Sequence, residues 1–285
     1  MVNAGNLSVR FWGVRGSIAC PGPDTVRYGG NTSCVEIRCG KHLLIMDGGT
    51  GLRELGAALL KNGPIDADLF YTHTHFDHIC GLPFFGPAYV QGNKIRLWAG
   101  HLLPDHGIEE VLCGMMMAPL FPVPMSLLDS QVTFKDFRHG ETLQPHPGVT
   151  LRTAPLNHPN GATGYRIEHG GKSICYITDT EHRLGELDMK IVELCRGADV
   201  MIYDSSYTDE EYSRYRGWGH STWQEGVRIA DAANVGTLAI FHHDPSHSDA
   251  FMDDVAREAA AMRPGTVPGG LPRVLVAHEG LTIAP

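Results

Sequence analysis

The chain has 285 residues, 42% hydrophobic and 19% charged, enough for one large domain or two small ones and ordinary for a soluble globular protein. A formal net charge of −9 without any Lys/Arg cluster argues against DNA or structured RNA as the main partner, because phosphate contacts demand a basic surface, yet leaves room for a small anionic substrate. No stretch approaches the ~20 apolar residues of a membrane helix, Met1–Asn6 carries no leader signature, and the seven scattered cysteines lack a CxxC pair, which together point to reduced thiols in a cytoplasmic protein.

Leu7 to Val14, Ser33 to Cys39 and His42 to Met46 read as strands, with turns at Gly16, Gly29-Gly30 and Gly48-Gly49. Leu52 to Lys61 reads as a helix with Leu52, Leu55, Leu59 and Leu60 on one face, stopped by Gly63-Pro64. The apolar run Ala67 to Tyr71 is the next strand. Residues 84–130 are less regular and proline-rich, and read as an insertion or lid with one short helix near Gly107 to Met117. Its run Met115-Met116-Met117 reads as core filling, with a wall beside an active site or a dimer contact as the alternative. Strands return at 132–137, 149–154, 163–168 and 173–178, followed by a helix at 184–195 and a strand at 199–203. A helix at 222–233 capped by Ser221, a strand at 237–241, a helix at 249–262 and a strand at 273–277 complete the chain. Two halves of strands then helices predict an α/β fold with two sheets face to face and helices outside.

His73-Thr74-His75-Phe76-Asp77-His78 directly follows the strand that ends near Tyr71. Imidazole and carboxylate at this density suit zinc, manganese or iron. In an extended loop His73 and His75 point the same way, while Asp77 and His78 fall where a helix begins, so one segment can serve two adjacent ions. Such a pair needs further ligands at strand ends. Three positions fit: His158 after Leu151–Leu156, Asp179 after Ile174–Thr178, and His242 after Leu238–Phe241. His242 and His243 are adjacent, and strand alternation of unknown phase leaves open which one faces the metals. His42, His101, His106, His139, His146, His169 and His182 lie in surface-like contexts and receive no role. Tyr28–Ser33 reads as a glycine-rich turn, with a rim loop whose Asn31 touches substrate as the alternative. His247 reads either as reaching the site or as a surface residue at a helix start.

This donor series, HxHxDH then His158, Asp179 and His242, resembles that of the metallo-β-lactamase superfamily, and the likeness runs from Phe11-Trp12-Gly13 to His242. The resemblance implies one domain over residues 1–285, built as a four-layer αββα sandwich of two mixed β-sheets. It implies two divalent ions, zinc first and manganese or iron as alternatives. His73, His75 and His158 would hold one, Asp77, His78 and His242 the other, with Asp179 bridging and Asp47 in support. Four stretches are similar to the phosphodiesterase branch that includes ribonuclease Z: Leu156–His158 leading to Gly164–Arg166, Tyr176–Thr180, Ala198–Ser206 with Asp204 where Glu is usual, and Gly219-His220-Ser221-Thr222. The pattern fits His242 better than His243. The bacterial ribonuclease Z arm that grips tRNA lies between the third ligand and the bridging Asp, and the short stretch from His158 to Asp179 has no room for it.

The resemblance therefore implies a binuclear metal hydrolase that cleaves a small phosphodiester, with a cyclic nucleotide as one candidate, through attack of a hydroxide shared by the ions. Asp77 would bind metal and accept the proton of water, His220 would act as the general acid, and Asp204 would orient His220. The absence of a GxSxG elbow agrees with this. The alternatives are a ribonuclease Z-like nuclease and a lactone, thioester or β-lactam hydrolase. The complete donor series weighs against a pseudoenzyme, and His75 in place of a carboxylate weighs against a redox di-iron role. A homodimer is left open.

Overall fold

The computed structural model describes residues 7–285; Met1–Asn6, read above for a leader, lies outside them. The first sheet is built from β1 (Leu7–Gly13), β2 (Cys34–Cys39), β3 (His42–Met46), β4 (Asp66–Tyr71), β5 (Lys94–Ala99) and β6 (Gln131–Asp136). The second holds β7 (Thr142–His146), β8 (Val149–Leu156), β9 (Ala162–His169), β10 (Lys172–Ile177), β11 (Val200–Asp204), β12 (Thr237–Phe241) and β13 (Val274–Val276). A short β14 (Thr282–Ile283) returns to pair with β1. The strand orders are β14-β1-β2-β3-β4-β5-β6 and β13-β12-β11-β10-β9-β8-β7. Each sheet is antiparallel over four strands and parallel over the next three, so the two halves of the chain repeat one plan.

Period-two alternation decides which face each strand buries. In β11, Val200 and Ile202 enter the core between the sheets, while Met201 and Tyr203 face outward under helices. The inter-sheet core joins Phe11, Ile37, Met46 and Phe70 to Ile167, Tyr176, Ile202 and Phe241. Outside the first sheet lie α1 (Gly51–Leu59) and α3 (Ile108–Met115). The one-turn α2 (Phe76–Ile79) follows β4. Outside the second lie α4 (Met189–Cys195), α6 (Trp223–Ala232) and α7 (Asp249–Met262), with the short α5 (Asp209–Tyr212) leading to α6. The αββα sandwich of two mixed seven-stranded sheets is the expected one. No helix among the described residues is long and apolar enough to cross a membrane.

Some local readings change. Within 84–130, Lys94–Ala99 is a sheet strand paired on both sides, with Ile95 and Leu97 buried between the partly or fully exposed Lys94, Arg96 and Trp98. The helix within this segment is α3. Leu60 is exposed, because α1 ends at Leu59. α4 starts only at Met189, where Asp188 caps it; Gly185 upstream has φ +78 and breaks the run. Thr222, not Ser221, caps α6, accepting from the Glu225 N–H. Ser221 is turned inward instead, against Tyr203 and His182.

Because Ile202 is wholly buried between the sheets, Ile202→Ala should cost about 2–5 kcal/mol through lost burial and the cavity left behind. Urea denaturation of metal-free protein measures this, and a change below about 1 kcal/mol would mean that the inter-sheet core is not packed as described.

Candidate metal centre

Parallel strands present their carboxyl ends at one edge of each sheet, the customary place for a site in such sheets. Asp47 follows β3, the His73–His78 loop follows β4, Asp179 follows β10, Asp204 ends β11 and His242 follows β12. Asp47, Asp179 and His242 have left-handed backbones, with φ 59, 60 and 62. A non-glycine residue costs energy there and persists only where its surroundings over-determine it, which is common at functional sites. Three such residues at three strand ends of one site form a pattern that hydropathy does not reveal.

Five overlapping groups of three donors result among the described residues, two of them the predicted trios and two containing His220. The ligand atoms of His73, His75 and His158 lie within 4.8 Å of one another, as do those of Asp77, His78 and His242. Asp179 stands between them. Its Oδ1 is 3.7 Å from His73 Nε2 and 3.9 Å from His158 Nε2, while its Oδ2 is 3.2 Å from His78 Nε2 and 3.3 Å from His242 Nε2. One carboxylate thus offers an oxygen to each trio.

The far sides of these rings are fixed by hydrogen bonds. His78 Nδ1 meets Asp47 Oδ2 at 2.9 Å, and Tyr176 Oη and Thr72 Oγ1 donate to the same carboxylate. His158 Nδ1 donates to the Gly219 carbonyl at 2.8 Å, and His242 Nδ1 lies 3.1 Å from Ser206 Oγ. The Ser17 N–H donates to Asp77 Oδ2 at 2.8 Å. Fixing one ring nitrogen aims the other, which is how metal-binding imidazoles are oriented.

The charge balance calls for a cation. Asp47, Asp77, Asp179 and Asp204 are all buried, and among the described residues they pair only with imidazoles, never with Lys or Arg. Burial works to raise the Asp77 and Asp179 carboxyls, but the surrounding imidazoles, His78 and His242 among them, hold both well below the usual range. Burial keeps His73, His75 and His158 low and neutral, with lone pairs available. The Nε2 atoms of His73, His78 and His242 are buried without a hydrogen-bond partner among the described residues, each costing about 1–3 kcal/mol if left so. Divalent ions would satisfy the orphan nitrogens and the surplus carboxylates together, so the donor set fits two of them.

With this geometry in hand, comparison with known proteins is decisive for the family: residues 43–243 match the model of the beta-lactamase superfamily domain. The chain belongs to the metallo-β-lactamase superfamily. A ribonuclease Z from Mycobacterium sp. (strain KMS) is 26% identical over 93% of this chain and 95% of its own length. The metallo-β-lactamase fold protein YhfI from Bacillus subtilis aligns with a TM-score of 0.71 at 19% identity, covering 99% of this chain and 100% of that one. A diphosphatase of the PhnP family aligns at 0.68 and 20% identity over 97% of both chains. The protein is a metal-dependent hydrolase of this superfamily, with a His/Asp metal site.

Of the remaining sequence candidates, His220 lies against these donors and several others do not. The His220 ring lies 5.4 Å from that of His158 and 5.0 Å from that of His242, against both trios. Its Nδ1 meets Asp204 Oδ2 at 3.0 Å. Although a methylene shorter than Glu, Asp204 reaches, because the Thr180 N–H and the Ser206 N–H and hydroxyl hold its carboxylate in place. His243 turns the other way and bonds to the Ala277 carbonyl at 2.8 Å. Asn31 is occupied by Glu279 and Thr50, and His247 by Glu211, so neither is presented to the site. The surface reading of several histidines is corrected: His182 is buried, stacked on Tyr212 and bonded to Ser221, His146 and His42 are half-buried and stacked on each other with His146 against Asp68, and His101 is half-buried beside Thr74 and edge-on to His73. The sequence neighbours, Glu181 and Arg183 for His182 and Pro145 and Pro147 for His146, carry no sign of these long-range partners. Sequence reasoning also missed Ser17, Ser206 and Gly219, which act through backbone or hydroxyl groups that carry no ligand signature.

Proposed function

We propose that the protein is a phosphodiesterase acting on a small phosphodiester through two divalent ions, with zinc first and manganese or iron as alternatives. His73, His75 and His158 would hold one ion, and Asp77, His78 and His242 the other, with Asp179 shared. When bound, such a pair lowers the pKa of water and neutralises the phosphoryl oxygens. Asp77, kept ionised by His78 and His242 and oriented by the Ser17 N–H, would take a proton from that water. Burial alone would lower the His220 imidazole, but Asp204, with Asp179 and Asp77 near, lifts it to about 9 in the metal-free protein, and the Asp204 contact favours a protonated ring. Its Nδ1 is committed to Asp204, and Nε2 is left to protonate the leaving alkoxide.

The observation that carries this reading is the His220–Asp204 pair set against both donor trios. The pair belongs to the Gly219-His220-Ser221-Thr222 stretch that resembles the phosphodiesterase branch. A ribonuclease Z-like nuclease is the second reading, favoured by the curated relatives. Against it stand the formal net charge of −9 and the stretch between His158 and Asp179, which is filled by the β9–β10 hairpin with its tight Gly170-Gly171 turn.

The test is a substrate panel with metal analysis: bis(p-nitrophenyl) phosphate, 2′,3′- and 3′,5′-cyclic nucleotides, a pre-tRNA and a lactone. Cleavage of the small phosphodiesters, lost on chelation and restored by a divalent ion, is expected. Turnover of the lactone alone would end the phosphodiesterase reading, and turnover of pre-tRNA alone would transfer it to the nuclease.

A further inference from the structure

The geometry points to Trp218 as a stacking platform for a nucleobase, which makes nucleotide phosphodiesters the substrate class; this rests on the phosphodiesterase reading above. Trp218 is 62% exposed, yet its backbone is tightly held. The Glu181 carboxylate accepts from the N–H groups of both Gly217 and Gly219, each at 2.8 Å. Glu181 is itself tied to Asn157, the residue before His158, by its N–H and its carbonyl. On the other side, the Gly219 carbonyl accepts from His158, and a Cβ at Gly219 would lie 2.3 Å from His158 Nδ1. The turn that presents Trp218 is therefore locked to a donor of the metal centre.

The ring is steered as well. Trp218 meets Tyr215 edge-to-face at 5.5 Å, Tyr215 stacks on Tyr207 at 4.3 Å, and Tyr207 stands edge-on to His220 at 6.2 Å. An aromatic ladder thus leads from the proposed acid outward and ends in an indole whose remaining surface is open. A lone exposed hydrophobe is ordinary. This one lies two residues from His220 on a turn that five polar contacts and a glycine without room for a Cβ hold rigid, so its fixed position does not serve burial. Two more exposed apolar side chains adjoin site residues in the chain: Phe76, 71% exposed, stands between His75 and Asp77, and Ile18, 66% exposed, follows Ser17. A polar centre suited to phosphate, with a rigid indole two residues along the chain from the proposed acid, matches a nucleotide, whose base has a planar aromatic face. Base–aromatic stacking tolerates any base and is strongest for large rings.

The experiment compares wild type, Trp218→Ala and Trp218→Phe, all metal-loaded, on 2′,3′-cyclic AMP and on base-free glycerol 1,2-cyclic phosphate, and measures AMP binding by calorimetry. Trp218→Ala should lower kcat/KM on the nucleotide roughly tenfold or more, mostly through KM. It should leave the base-free substrate and the metal content unchanged, and Trp218→Phe should retain most of the activity. Equal losses on both substrates, or none, would overturn the platform while the phosphodiesterase stands. If wild type cleaves neither substrate, the phosphodiesterase reading fails separately. AMP binding then decides the platform, since weaker binding to Trp218→Ala supports it and equal binding overturns it.

Discussion

Asp179→Ala should strip the protein of its stable metal pair, reducing bound metal from about two ions per chain to one or none and turnover by at least about 100-fold, the scale seen when even an outer partner of a metal ligand is lost. The reason is geometric. Asp179 Oδ1 faces His73 and His158 and Oδ2 faces His78 and His242, all between 3.2 and 3.9 Å, so both trios lose a donor in one substitution. No neighbouring carboxylate can replace it, since Asp47 is engaged by Thr72, His78 and Tyr176, and Asp204 by His220, Thr180 and Ser206. Elemental analysis after dialysis, with enzyme assay, checks the prediction. Metal should also raise the unfolding midpoint of wild type more than that of the variant, because an ion that binds only the native state stabilises it by about 2.7 kcal/mol at a hundred times its dissociation constant. Two tightly held ions per chain in Asp179→Ala would show that the carboxylate is no bridge.

The residues that converge were legible in the sequence because the fold places donors where apolar strands stop. Asp179 and His242 each follow a run that can only be buried, and His158 follows a strand in which buried residues mostly alternate with partly or fully exposed ones; a polar residue at such a point lies at the sheet's edge. Sheet pairing was less legible. Thr142–His146 holds a proline and alternates weakly, and Thr282–Ile283 is too short to show a period, yet both become strands through their partners. The phase that separates His242 from His243 is set by a left-handed turn at His242 and by the bond of His243 to Ala277, neither visible in local pattern. Gly16 shows the same limit. It reads as a turn, but a Cβ there would meet the His242 ring at 2.3 Å, so its smallness serves the site. Backbone donors and close approaches of this kind exist only once distant segments meet.

His220→Ala should separate acid catalysis from metal binding. Its Nδ1 is held by Asp204, 3.0 Å away, and in the proposed reading its Nε2 carries a proton to the leaving group; the same Asp204 contact would also suit a metal-binding imidazole, so metal content is the deciding readout. Turnover of a cyclic nucleotide, whose leaving alkoxide needs a proton, should fall by about 10²–10⁴-fold, the range for loss of a positioned acid. Turnover of bis(p-nitrophenyl) phosphate should fall far less, because p-nitrophenolate leaves without one, and metal content should stay at the wild-type level. Asp204→Asn should follow the same order of substrates with a smaller drop of about 10–100-fold, since the ring remains but loses the carboxylate that charges and orients it. Equal losses on both substrates, accompanied by lost metal, would reassign His220 as a ligand, and the reaction would then need a different source for the leaving group's proton.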